Sequence, residues 1–176
     1  MKKNLVINPS DIFIKTGNEY DNIFVDRYVY DQCKIKKSSD QFLSSRLDSS
    51  YRLQNFNLSN LLFYEILECL KTELNLVFDQ KFNSVFYEIT LGVWLRKFIE
   101  QFIFKYQNII EVNKSHDIQT ATIYDTSEFS FFTSETDKIY PATLNNLWNA
   151  NIYSYILKNL NFDINFKLIK PHEKNL

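Results

Sequence analysis

One long stretch of regularly spaced apolar residues constrains the fold more than any other feature of this chain. It runs from about Ser84 to Val112, and its apolar side chains recur at the spacing of one helix face. These residues are Leu91, Trp94, Leu95, Phe98, Phe102, Tyr106, Ile109 and Ile110. Charged residues interrupt the stretch, so it predicts a long amphipathic helix and not a membrane span. Gly92 lies inside it and indicates either the close approach of a neighbouring element or a break between two helices.

A second apolar period predicts another helix from about Leu58 to Phe78. Asn57 or Ser59 is expected to cap it, because a short side-chain oxygen accepts a backbone N–H of the first turn. Its apolar face is expected to consist of Leu62, Ile66, Cys69, Leu70, Leu74 and Val77.

Shorter patterns predict strands on either side of these helices. The segment Thr120–Tyr124 is β-branched and aromatic, and residues 162–168 alternate between apolar and polar, so each predicts a strand. Between them, a helix is expected to begin near Pro141. Four short β-rich runs lie near the N-terminus, at residues 5–7, 12–14, 23–25 and 28–30. This order predicts a helix-rich α/β fold, and the small number of clear strands indicates an incomplete sheet.

Composition favours a single packed domain over residues 1–176. Hydrophobic residues make up 45% of the chain and aromatic residues 16%, which is ample for a core. Residues 34–50 are polar and predict a flexible loop, and residues 171–176 predict a polar tail. The net charge of −1, with both signs mixed, argues against a nucleic-acid partner. The two cysteines, Cys33 and Cys69, are interpreted as reduced thiols because they form no disulfide pattern. The sequence also has no recognisable signal peptide, so we expect a cytoplasmic protein.

The sequence offers few residues for cofactor or metal chemistry. Gly17 and Gly92 are the only glycines, which excludes a dinucleotide fingerprint and a P-loop, so no cofactor is expected. His116 and His172 are isolated and are best interpreted as surface residues, so no metal site is expected either. Trp94 and Trp148 lie on apolar helix faces, which favours core packing over stacking on a sugar ring.

Asp125 is the candidate catalytic residue, because it directly follows the predicted strand Thr120–Tyr124. Ligands of open α/β sheets bind at the carboxyl ends of strands, where a carboxylate can act as a general base toward a sugar hydroxyl. The competing interpretation is an ordinary turn-starting aspartate. In that case Glu88, Glu128 and Asp137 are the next carboxylates to consider.

Three segments in order resemble a transferase family of bacterial surface-carbohydrate biosynthesis, which includes O-antigen. Residues 85–95 read Val-Phe-Tyr-Glu-Ile-Thr-Leu-Gly-Val-Trp-Leu, similar to that family's block of aromatic-Trp-x-x-Leu-x-Gly-Pro-Trp-Leu. Two later segments also match the family in order and spacing. They are the strand Thr120–Tyr124 and the segment Leu147–Leu157, in which Trp-Asn is followed by Ile-Tyr and Ile-Leu. The likeness covers roughly residues 58–170. This chain departs from the family where Val93 replaces a proline, Tyr87 a tryptophan and Glu88 a basic residue.

The resemblance implies a glycosyltransferase of the B type, which has two facing Rossmann-like halves. This chain would correspond to the N-terminal, acceptor-side half, and would be inactive alone because the donor-binding half is missing. The partners implied are a sugar or glycolipid acceptor and either the missing C-terminal half or a second copy of the chain. The alternative from another class is a non-catalytic α/β interaction module, because the residues themselves form no recognisable catalytic cluster.

Overall fold

The computed structural model of the chain describes residues 2–16, 19–34, 40–42, 49–127, 131, 133 and 135–170. Contacts divide these residues into two compact units. One unit contains a β-sheet with its flanking short segments, the C-terminal part of a long helix from Lys105 onward, and a later helix. The other contains a helical hairpin that ends at Phe104, together with residues 133–141. The sequence-based expectation of a single domain stays a prediction.

Five parallel strands form the sheet of the first unit. They are β1 (Lys2–Val6), β2 (Tyr20–Phe24), β3 (Gln41–Phe42), β4 (Thr120–Tyr124) and β5 (Asn165–Ile169). Their order in the sheet is β3-β2-β1-β4-β5, which is the order of the first five strands of a Rossmann fold. Every neighbouring pair is parallel. The predicted α/β fold class is therefore confirmed, and the sheet is Rossmann-like.

The central strands are buried because their residues are apolar on both faces, as parallel sheets require. Leu5, Val6, Ile23, Phe24, Ala121 and Ile123 are all 2% exposed or less. A row of polar residues also crosses the three central strands at one register position, because Asn4 pairs with Asn22 on one side and Thr120 on the other. The Asn4 Nδ2 donates to Asn22 Oδ1 at 3.0 Å, and Thr120 Oγ1 donates to Asn4 Oδ1 at 3.1 Å. These buried hydrogen bonds favour the observed register, since a slip would leave polar groups without partners.

Helices connect the strands. They are α1 (Arg27–Gln32), α2 (Ser49–Val77), α3 (Ser84–Ser115), α4 (Ile139–Thr143) and α5 (Asn146–Asn159), with short 3₁₀ turns at Asp11–Phe13 and Thr136–Lys138. The long helix predicted from Ser84 and the strand Thr120–Tyr124 are present, and the last predicted strand forms at Asn165–Ile169. The helix expected to begin near Pro141 is divided, because Pro141 lies inside the short helix α4 and Asn145 caps the longer helix α5, which begins at Asn146. None of the helices in the described ranges has the length and hydrophobicity that a bilayer crossing requires.

Two of the short N-terminal runs do not form strands. Residues 28–30 lie in α1, because the Asp26 side chain accepts a hydrogen bond from the Val29 backbone N–H at 2.8 Å and caps a helix there. Ile12 and Phe13 lie in a 3₁₀ turn. At residues 28–30, local capping therefore overrides the β propensity of the aromatic and β-branched side chains.

Of the predicted flexible loop at residues 34–50, the described part contains strand β3 and the beginning of α2. Residues 35–39 and 43–48 of that loop, and the predicted tail 171–176, lie outside the described residues. Helix α2 begins at Ser49, nine residues before the predicted start at Leu58. Asn57 and Ser59 are consequently interior to the helix and do not cap it.

In the second unit, α2 and the first part of α3 pair as an antiparallel hairpin. Arg96 lies 3.7 Å from the ring centroid of Phe63 and also donates to Asn60 Oδ1 at 3.1 Å. Nearer the connection, the Tyr87 hydroxyl donates to Asn75 Oδ1 at 2.9 Å. The predicted apolar face of α2 is not the buried one, since the buried apolar residues are Phe63 and Leu67, which the prediction did not include. Of the predicted residues, Leu62, Leu70 and Leu74 are only half-buried. By contrast, Ile66, Cys69 and Val77 are exposed.

Gly92 does not mark a break, because α3 continues through it. A β-carbon at this position would lie 3.7 Å from the Phe63 ring and 3.6 Å from the Glu88 side chain, which is ordinary contact. The helix pairing therefore does not require a glycine here.

Candidate functional site at the carboxyl edge of the sheet

A cavity of about 610 Å³ opens at the carboxyl ends of β1, β4 and β5. Its lining consists of Asn8, Ser10, Ile12, Tyr124, Asn145, Asn146, Leu147, Ile169 and Lys170. The strand order reverses direction between β1 and β4, and open α/β sheets bind their ligands at such switch points. The cavity therefore occupies the position at which this class of fold places its ligands.

Asn8 connects strand β1 to helix α5 at the cavity. Its side chain is 4% exposed, and its Nδ2 donates to the Asn146 backbone carbonyl at 3.0 Å. Its Oδ1 accepts from the Ser10 backbone N–H at 2.9 Å, so one amide also shapes the loop after β1. Asn145 caps α5 by accepting from the Trp148 backbone N–H at 3.0 Å. Two asparagine side chains thus fix the walls of the cavity.

Asp125 directly follows β4, and its backbone N–H donates to the Ile169 carbonyl at 2.8 Å. Its Oδ1 accepts from the Ser127 backbone N–H and from the Lys158 ammonium, each at 3.2 Å. The Ser127 backbone N–H, followed by Lys158, holds the pKa of this carboxyl below its ordinary value. Asp125 is thus a turn-starting, ion-paired carboxylate that is 36% exposed, and it does not line the cavity described above.

A buried polar cluster lies in the same unit, built from residues after β2 and on α3 and α5. The Tyr153 hydroxyl donates to Asp26 Oδ2 at 2.9 Å and accepts from Asn108 Nδ2 at 3.2 Å. Burial, and then the negative charge of Asp26, raise the pKa of Tyr153 well above its ordinary value. Asp26 therefore has two functions, since its other oxygen caps α1.

Lys105 is the charged member of this cluster and is 4% exposed. Its ammonium lies 5.6 Å from the Tyr153 ring centroid and 6.0 Å from that of Trp148. Burial lowers the pKa of Lys105 to about 8, and attraction to Asp26 opposes that shift. The electron-rich ring faces and the nearby carboxylate are what make a buried ammonium tolerable here.

The two tryptophans and His116, which were also considered from the sequence, lie in buried or partly buried positions. Trp94 is 9% exposed and stacks on Phe98 with ring centroids 5.1 Å apart. Trp148 is 5% exposed, and its indole N–H donates to the Phe131 carbonyl at 3.4 Å. Both tryptophans are therefore core residues, as predicted. His116 is partly buried, and this burial, with the charge of Lys3, lowers its pKa.

The other candidate carboxylates are not among the lining residues or lie outside the described residues. Glu88 pairs with Arg96 in the helical hairpin at 3.5 Å, and Asp137 lies in a 3₁₀ turn. Glu128 and His172 lie outside the described residues. Within the described ranges, no group of three or more histidine, cysteine or carboxylate side chains is arranged to hold a metal ion.

Sequence reasoning missed Asn8, Asp26 and Lys105. Asp26 and Asn8 each follow a β-rich run by one residue, which is the same signal that selected Asp125. Lys105 gave a weaker signal. A single lysine in a helix with regularly spaced apolar residues is ordinarily interpreted as lying on the solvent-exposed side of that helix. Its burial depends on side chains from three separate segments, which no local pattern reveals.

The sheet and the cavity define an α/β protein that has a Rossmann-like sheet with a cavity at its carboxyl edge. The model of the LIC12162 family transferases matches residues 7–176 of the chain. The chain therefore belongs to the LIC12162 transferase family. No curated protein and no solved structure matches it.

Proposed function

We propose that the chain is the acceptor-side portion of a glycosyltransferase-like enzyme of surface-polysaccharide biosynthesis, such as O-antigen synthesis. A sugar or glycolipid acceptor binds in the carboxyl-edge cavity. The observation that carries the proposal is the position of this cavity at the strand switch point in a member of a transferase family. The assignment to the B type, to the cytoplasm and to a chain that is inactive alone belongs to the same proposal.

The composition of the cavity wall suits a sugar. Asn145, Asn146 and Ser10 offer amide and hydroxyl groups that both donate and accept, as sugar hydroxyls do. Tyr124 adds an aromatic ring, whose apolar face suits the C–H face of a pyranose. Neither a carboxylate nor a histidine is among the lining residues, and Lys170 is the charged side chain among them.

Acceptor binding is testable by NMR on the whole chain with a panel of mono- and disaccharides at millimolar concentration. We expect one or more sugars to shift the backbone amide signals of Ser10 and Leu147, which line the cavity. Ser10→Trp fills the cavity mouth and should abolish these shifts, whereas Ser10→Ala should retain them. Ser10 is exposed and its hydroxyl makes no capping hydrogen bond, so both variants should fold. Identical responses in the two variants would contradict acceptor binding in this cavity.

Asp125 is the proposed general base within this enzyme. It is not among the residues that line the cavity, but it directly follows Tyr124, which does line it. The Lys158 ion pair keeps it ionised, and a carboxylate that accepts from an ammonium can also orient an acceptor hydroxyl. Asp125→Asn should leave the melting temperature nearly unchanged, because the pair is solvent-exposed and the change is close to isosteric. In the complete transferase, the same change should abolish transfer, whereas Asp163→Asn, an exposed control, should not. Turnover within a few-fold of the parent would remove Asp125 from the mechanism.

The acceptor-side assignment has its own test with activated sugars. A panel of nucleotide sugars added to the isolated chain should leave its melting temperature unchanged, because donor binding belongs to the other half. A marked stabilisation by one donor would show that this chain binds donors and would overturn the assignment.

A non-catalytic α/β interaction module is the second candidate, and exposed apolar side chains on α2 and α3 favour it. The two candidates differ in their response to sugars. An interaction module should show no saturable sugar shift at the cavity, whereas the acceptor half of a transferase should.

A further inference from the structure

The helical hairpin of the second unit exposes apolar side chains around its tip. The exposed fractions are 74% for Leu76, 73% for Val77, 61% for Phe78, 40% for Phe82, 60% for Val85, 40% for Phe86, 77% for Ile89 and 56% for Val93. We call these eight side chains the tip surface. Single exposed apolar residues are ordinary, but a cluster of this size in one short segment indicates an interaction site.

The α3 part of the tip surface forms a regular stripe. Val85, Ile89 and Val93 recur every fourth residue, so they lie on one line along the helix. The face of α3 that packs on α2 is a different one, because Tyr87 hydrogen-bonds to α2 and a β-carbon at Gly92 would contact the Phe63 ring. The first turns of α3 are therefore apolar on two faces, a pattern expected for a helix that is covered on both.

The exposed area matches what a pair of subunits needs. Scaling each exposed fraction by the full area of its residue gives on the order of 900 Å², close to the ~800 Å² that each partner contributes to a standard-size interface. An interface of that size made of aliphatic and aromatic side chains is typical of a stable complex and not of a transient contact.

The charges around the tip surface fit a second copy of the same chain. Glu88 pairs with Arg96 at 3.5 Å, and Glu68 forms an ion pair with Lys71, so the hairpin carries both signs near this surface. Asp79 and Lys81 lie two residues apart in the connection between the helices. If a two-fold axis relates the two copies, the α3 stripe of one copy packs antiparallel against the same stripe of the other. Because the surrounding charges have both signs, this contact brings no block of like charge together. A basic surface suited to acidic lipids is not present among these residues.

We propose that two copies of this chain associate through the tip surface, with the α3 stripes antiparallel about a two-fold axis. This inference does not depend on the function proposed above. The whole chain should be a dimer by sedimentation equilibrium at micromolar concentration and should dissociate reversibly on dilution.

Ile89→Glu tests the surface, because a charge at the centre of the stripe is desolvated in the dimer and solvated in the monomer. Dimerisation should weaken at least a hundredfold, while the circular dichroism spectrum stays that of the parent, since Ile89 is 77% exposed. The matched control is Leu144→Glu, at a residue that is 72% exposed in the other unit, and it should dimerise like the parent.

The two-fold geometry has a separate test. In a Cys69→Ser background, which removes the exposed native thiol, Ile89→Cys should form a disulfide-linked dimer under mild oxidation, and Leu144→Cys should not. A parent chain that stays monomeric over a 100-fold range of concentration, up to high micromolar, would overturn the proposal. Equal weakening by the two glutamate variants, larger oligomers, or a monomer that binds neutral phospholipid vesicles through the tip surface would overturn it as well.

Discussion

Lys105 is the residue whose chemistry depends most on the fold. It lies on the long helix α3, near the rings of Trp148 and Tyr153, and burial lowers its pKa to about 8 from an ordinary value of 10.5. Below pH 8 the Lys105 ammonium is protonated in both the folded and the unfolded chain, so folding carries the full free-energy cost of burying the charge. Between pH 8 and 10.5 the folded chain releases the proton and the unfolded chain retains it, so this lysine makes folding more favourable as the pH rises.

A substitution isolates this pH dependence. We predict that the free energy of unfolding of the parent chain, relative to that of Lys105→Met, rises by about 2 kcal/mol between pH 7 and 9.5, since the slope is about 1.4 kcal/mol per pH unit above pH 8. Urea denaturation at several pH values measures it. Lys114→Met is the matched control, because that lysine is exposed on the same helix and its difference from the parent should be flat across this range. Parallel profiles for Lys105→Met and the parent would show that Lys105 is not buried as a titrating cation.

At the scale of single elements, α3 contains a glycine that its packing does not need. A methyl group at Gly92 would make ordinary contacts with Phe63 and Glu88, so the helix gains propensity without a clash. We predict that Gly92→Ala raises the free energy of unfolding by about 1 kcal/mol. Gly92→Leu should lower it, because a longer side chain reaches the Phe63 ring. Denaturant titration of the three proteins distinguishes the outcomes, and a destabilised alanine variant would mean that the hairpin requires closer packing at this point.

Elements with strong local signals were predictable from the sequence, and those fixed by distant partners were not. Strand Thr120–Tyr124 and the start of α3 at Ser84 were predicted at their observed positions, since β-branched alternation and a long helical period are local. Helix α1 was missed because the Asp26 side chain, and not the propensity of residues 28–30, determines it. The early start of α2 was missed because its polar residues resemble a loop.

The candidate site was predictable only at its edge. The strand pattern placed Asp125 directly after β4, where the structure has it, and its catalytic role stays a prediction. The cavity wall itself combines residues near positions 8, 124, 146 and 169, which the sheet order brings together. The order of strands follows from long-range pairing, such as the Asn4–Asn22–Thr120 hydrogen bonds, and a single sequence contains no local record of it.

At the scale of the whole molecule, the two compact units share one continuous helix. Helix α3 contributes residues up to Phe104 to one unit and residues from Lys105 to the other. Unfolding either unit alone would remove the packing that supports half of this helix, and long helices in water depend on such packing. We therefore expect the chain to unfold as one cooperative domain.

The two tryptophans make this expectation testable, because each unit contains one of them. Trp94 lies in the hairpin unit and Trp148 in the sheet unit, and both are buried. In Trp148→Phe the fluorescence reports on the hairpin unit alone, and in Trp94→Phe it reports on the sheet unit alone. Within each variant we predict that the urea midpoint measured by fluorescence coincides with the midpoint measured by far-ultraviolet circular dichroism, which follows the helices of the whole chain. If the fluorescence midpoint precedes or follows the circular dichroism midpoint in either variant, the units unfold separately and the chain consists of two domains.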